Sequence, residues 1–131
     1  MEGRSGTWLG WSVQWGNRIT ETLHLNINGG RIVGVGSDRD GDFEVIGTFG
    51  TDGNVSLTRR YTYTTEPSQG GVGIPYLYQG KWDGAVVSGN WCTAVNPMRD
   101  GGAFEMWPGE DEEEYRLADL NELELTVPGR R

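Results

Sequence analysis

Few side chains in this sequence have the types and spacing for chemistry. One run stands out, Asp38-Arg39-Asp40-Gly41-Asp42-Phe43-Glu44. Alternating acids around a glycine could offer carboxylate oxygens to a hard cation such as Ca²⁺. The EF-hand pattern fails, however. Its glycine should follow the third acid, and its bidentate glutamate would fall on Phe49. A hairpin turn through Asp40-Gly41 with solvated flanks is the expected reading, and no metal site is expected. Asp38, Asp40, Asp42 and Asp100 could also pair for acid–base work, but no local feature predicts a raised carboxyl pKa. The one histidine, His24, sits at an alternating polar position and is expected at the surface. Cys92 lies between Trp91 and Thr93, with no base nearby in sequence. It is expected to pack as a small apolar group. No nucleophile–base pair can be assembled, so catalysis is not expected, nor is a cofactor.

Aromatic residues offer a binding chemistry instead. Tyr61 and Tyr63 share one strand parity with Arg59, and Tyr76, Tyr78 and Trp82 share another. Facing inward, Arg59, Tyr61, Tyr63, Tyr76, Tyr78 and Trp82 would line a lumen with rings, polar tips and one cation. Such a lining can stack and hydrogen-bond a small planar or anionic ligand. The alternative is a filled core, with the hydroxyls satisfied internally and Arg59 paired to an acid.

The elements that must hold these residues are strands. Leu23, Leu25 and Ile27 alternate with His24, Asn26 and Asn28, and Val55, Leu57, Arg59, Tyr61 and Tyr63 alternate with polar residues. This period of two predicts eight strands near 7–15, 19–28, 31–37, 42–49, 54–64, 73–82, 85–95 and 103–108. Asn28-Gly29, Asp40-Gly41, Asp52-Gly53 and Asp83-Gly84 are hairpin signals. Connections this short force antiparallel neighbours, and an eight-stranded meander removes its edges by closing. Gly-x-aromatic pairs recur, as at Gly47/Phe49, Gly80/Trp82 and Gly89/Trp91, and suit sharply bent strands. Alternate connections lie at opposite ends. The longer ones, at 65–71 and 96–102, fall at the same end as Asp38 and Asp40 and predict a wide mouth there.

The expected fold is therefore all-β: an eight-stranded antiparallel up-and-down β-barrel over 1–108, with an acidic C-terminal appendage over 109–131. The 131 residues suit one core. Eight acids and three bases fall in 109–131, against 11 acids and eight bases before it. Glu112–Leu120 has helix formers, and Leu123, Leu125 and Val127 then alternate as in a strand. This short helix and strand are expected to dock on the outer wall. The net charge of −8 argues against a nucleic-acid partner, since Arg59-Arg60 is the only basic pair in the barrel. No run of 18 apolar residues or basic–apolar leader occurs, so neither a membrane nor a secretory role is expected. A single cysteine favours a reducing compartment, and a cytoplasmic location is expected.

Gly6-Thr7-Trp8 opens the first strand of this meander, and in that it resembles the calycin barrels: avidins, lipocalins and fatty-acid-binding proteins. Size and the Gly-Thr-Trp start are most similar to the avidin-like members. The resemblance implies that Trp8 packs across the narrow end. It implies no biotin site, because the ligand-binding position two residues after the motif tryptophan is Gly10 here, and Ala103–Pro108 lacks the family's late basic residue. Sending Trp8 inward turns Leu9, Trp11, Val13 and Trp15 outward, whereas hydrophobicity alone would choose the reverse. An outward apolar stripe would need a cover, such as the tail or a second subunit. The function expected from all this is non-catalytic binding of a small planar or anionic ligand at the wide end. The alternative is a protein-interaction or scaffold domain with a filled barrel, using an outer aromatic stripe or the acidic tail, with self-association or a protein partner.

Overall fold

Period-two segments closed by tight turns can satisfy every backbone group only by pairing with their neighbours, and the chain does so around a full circle. The computed structural model describes residues 5–65, 72–96, 98 and 100–109. Eight strands run in chain order: β1 (Gly6–Gln14), β2 (Asn17–Asn28), β3 (Arg31–Asp38), β4 (Gly41–Phe49), β5 (Asn54–Thr64), β6 (Tyr76–Trp82), β7 (Val87–Thr93) and β8 (Gly101–Pro108). Each pairs antiparallel with the next, and β1 pairs with β8 from Trp8↔Pro108 to Ser12↔Phe104, which closes the barrel. The expected all-β architecture is thus the observed one. The appendage over 110–131, with its expected helix, strand and docking, lies outside the described residues.

Strand β6 starts three residues later than its pattern predicts. The chain at Val72 instead bridges Tyr61 in parallel, and Gly73 N–H donates to the Tyr61 carbonyl at 3.0 Å. The odd connections form one end of the barrel. There Thr65 N–H donates to the Asp40 carbonyl and Ala94 N–H to that of Pro75, which brings the β3–β4, β5–β6 and β7–β8 connections to a common rim.

The inward faces make one continuous core, including Leu23, Leu25, Val45, Leu57, Val87, Phe104 and Met106. Strand β1 follows the calycin-like choice. Trp8 is fully buried and Leu9, Trp11 and Val13 face outward, half-buried. The reason lies across the lumen. The narrow end has room for large rings, and Trp8 meets Trp82 at 5.8 Å between centroids, while Trp82 meets Phe49 at the same separation. Outside, the Arg18 guanidinium covers Trp11 at 4.1 Å.

Glycines let these rings fit. The recurrent pairs act across strands more than along them. Gly36 faces Phe43, and a Cβ there would lie 2.5 Å from the ring. Gly89 faces both Gly80 and Phe104, and a Cβ at Gly89 would lie 2.5 Å from the Gly80 backbone. The ring thereby covers backbone that a side chain would otherwise shield.

Candidate functional site

The polar residues of the lumen gather toward the wide end. Arg59 on β5 and Glu21 on β2 both point inward and are buried. The guanidinium donates from Nη1 to Glu21 Oε1 at 2.7 Å and from Nη2 to Oε2 at 2.9 Å, a two-pronged pair across the barrel. It also lies 3.9 Å from the Tyr78 ring centroid and 4.9 Å from that of Phe43. Burial by itself would lower the Arg59 pKa. The charge of Glu21 outweighs it, so the net direction is upward and the cation is locked in. Arg59 Nε is buried without a hydrogen-bond partner, as is Thr64 Oγ1.

Above this pair sits a second layer. Tyr61 Oη donates to Asp38 Oδ2 at 2.7 Å, and Asp38 Oδ1 accepts the Asp40 N–H at 2.8 Å and the Gly41 N–H at 3.2 Å. The carboxylate thus ties the β3–β4 turn to the inner wall. The rings continue from Tyr61 to Tyr76 (5.8 Å, perpendicular) and from Tyr76 to Trp91 (5.8 Å), whose indole N–H donates to the Val13 carbonyl at 2.9 Å. Burial raises Tyr61 and Tyr76, with the nearby aspartates adding to it. Burial also pushes Tyr78 up to about 12, with Arg59 opposing. All three phenols are therefore neutral hydrogen-bonding groups at neutral pH.

Contrary to expectation, one rim carboxyl is perturbed. Burial raises Asp38 above the ordinary 3.8, although hydrogen bonds from Tyr61 and the Asp40 N–H pull the other way. A carboxyl raised in the folded state binds its proton better folded than unfolded. Its stabilising contribution is fully present below the unfolded value and is lost as pH rises through the folded one. Asp38→Asn keeps an acceptor for the turn N–H groups and gives Tyr61 an amide donor. The variant is expected to gain thermal stability relative to the parent as pH rises from about 3 to about 6. Parallel melting curves across that range would show that Asp38 carries no such linkage.

Of the residues singled out in the sequence, Arg59, Tyr61, Tyr76 and Tyr78 come together, joined by Gln14 and Phe43 around a cavity of only about 10 Å³. That is room for about one water molecule. Two corrections follow. Trp82 is inward but belongs to the narrow-end cluster with Trp8 and Phe49. Tyr63 does not face the lumen at all: it is 59% exposed. The β4–β5 register shifts between Asp42↔Tyr63 and Phe43↔Tyr61, a bulge that leaves Thr62 unmatched and reverses the parity beyond it. Buried Thr64 takes the inward position instead.

Glu21 was the residue missed, although its signal was present. It shares the parity of Leu23 and Leu25, an acid on an apolar face. His24 lies on the outer wall, its Nδ1 at 3.4 Å from Thr7 Oγ1, and Cys92 is half-buried as a free thiol. Among the described residues, no group of three or more His, Cys, Asp or Glu side chains could hold a metal ion. No helix among them is long and apolar enough to cross a membrane. The sequence matches no protein-family model and no curated protein.

Proposed function

We propose that this chain is a calycin-like barrel that serves as a non-catalytic protein-interaction module in a reducing compartment such as the cytoplasm. One observation carries the reading. The cavity that Arg59, Tyr61, Tyr76 and Tyr78 share with Gln14 and Phe43 is only about 10 Å³, and the buried core, Trp8 included, packs with these rings and Trp82. Sites for small organic ligands run to hundreds of Å³. Arg59, the cation in this cavity, is already held by both oxygens of Glu21. A barrel filled in this way works as a rigid frame, and its outer surface, rim and acidic tail are what it offers to partners.

The competing reading, a small planar or anionic ligand among Arg59, Tyr61, Tyr76 and Tyr78, requires those rings to swing aside on binding. A metabolite library screened by tryptophan fluorescence and thermal shift separates the two. A true pocket ligand at about 100 times its Kd stabilises by about 2.7 kcal/mol. In a domain of this size that is a rise of roughly 10 °C or more. The expected result is no such shift. A saturable shift that Tyr76→Ala abolishes would overturn the interaction-module reading.

A further inference from the structure

We infer that the wide rim is the docking surface of this barrel, and that it takes a basic, aliphatic segment of another protein. This deepens the interaction-module reading and rests on it. Large apolar side chains are unevenly exposed. Trp15 (82% exposed), Val72, Val95 and Met98 (94% exposed) all stand on connections at the wide end. The narrow-end turns carry no exposed large apolar side chain among the described residues. Val33, Val35 and Ile46 are also exposed, on the outer wall, but the three most exposed, Met98, Trp15 and Val95, all belong to this rim, and apolar groups gathered at one end mark a contact surface.

Trp15 is the clearest sign. It occupies the first place of the two-residue turn with Gly16, with φ of 52° beside 80° for the glycine. Such turns are built for asparagine or glycine, and a bulky side chain in the left-handed region is strained. An asparagine there would hold the hairpin better, so the indole is not explained by the needs of the fold. Strain held at an exposed position points to use of the side chain.

The charge of the rim selects the occupant. Asp38, Asp40 and Asp42 lie at the β3–β4 turn and Asp100 on the β7–β8 connection of the same rim, and beside burial the charges of Asp100, Asp40 and Asp38 raise the Tyr76 pKa. Against these four acids stand two described bases at this end, Arg18 over the Trp11 ring and Arg39 at 3.9 Å from Asp40, so negative charge is in excess. A second copy would bring acids against acids on a chain of net charge −8. A segment with lysine or arginine beside aliphatic residues meets both features. Its cations reach Asp40 and Asp100 or the indole face, and its apolar groups lie on Trp15, Val95 and Met98.

The test uses the full chain and three synthetic peptides, alternating lysine–leucine, glutamate–leucine and lysine–serine, titrated by calorimetry at two salt concentrations. The lysine–leucine peptide is expected to bind best. Trp15→Asn should weaken it about tenfold or more while leaving the melting temperature equal or higher. Asp40→Asn with Asp100→Asn should weaken it and reduce the salt dependence. Val35→Ser on the outer wall, and Glu112→Gln with Glu113→Gln and Glu114→Gln in the tail, should leave it within about twofold. Absence of lysine–leucine binding, insensitivity to Trp15→Asn, or loss in the tail variant would overturn the rim assignment. So would a dimer in sedimentation that Trp15→Asn dissociates. None of these results revives a small-ligand pocket, which stands or falls with the metabolite screen.

Discussion

Glu21→Ala is expected to destabilise the barrel by about 3–5 kcal/mol, a large part of the roughly 5–15 kcal/mol that holds a domain together. The cause is what remains behind. Arg59 cannot shed its proton to escape burial, and the rings of Tyr78 and Phe43 beside it carry no formal charge to balance it. Removing the carboxylate leaves a full charge in the lumen without its ion-pair partner. The melting temperature should fall by about 12 °C or more, and the urea midpoint with it. Glu21→Leu combined with Arg59→Met removes both charges and should recover most of the loss, or exceed the parent by about 1–4 kcal/mol. A double variant no more stable than Glu21→Ala would show that the pair supplies packing, and that the uncompensated charge is not the source of the effect.

Trp8→Ala is the second large effect, at about 3–5 kcal/mol. The indole is fully buried and meets Trp82, which in turn packs on Phe49. Its loss opens a cavity at the narrow end, where β1 and β8 close the sheet at Trp8↔Pro108, so the backbone has little freedom to collapse into it. Trp11→Ala, three residues on and facing outward under Arg18, should cost about 1 kcal/mol or less. Urea unfolding of the two variants measures the contrast. Equal losses would mean that the two faces of β1 do not differ in burial as described.

Much of this molecule was legible in its residues. Alternation and hairpin turns read locally, and eight such segments joined by short connections leave one topology that satisfies every edge. The clustering of Arg59, Tyr61, Tyr76 and Tyr78 was also legible, because neighbouring strands with one parity must share a face. The end at which Asp38 and Asp40 meet the longer loops followed from counting connections.

Three things were settled only in three dimensions. Alternation says which residues of β1 share a face but not which face is inner. Trp8 is inside because Trp82, itself packed on Phe49, meets it across the lumen from a strand far away in the chain. Tyr63 kept the parity of Tyr61 on paper, and one unmatched residue in the β4–β5 ladder turned it outward, since a single-residue slip reverses every side chain beyond it. Whether the barrel is hollow or full depends on which side chains meet across it, and the stagger of the closed sheet decides that. Nothing local tells Glu21 on β2 that Arg59, 38 residues further on, will face it. A strand pattern encodes direction relative to its own neighbours, whereas distances across a closed sheet belong to the whole circle of pairings.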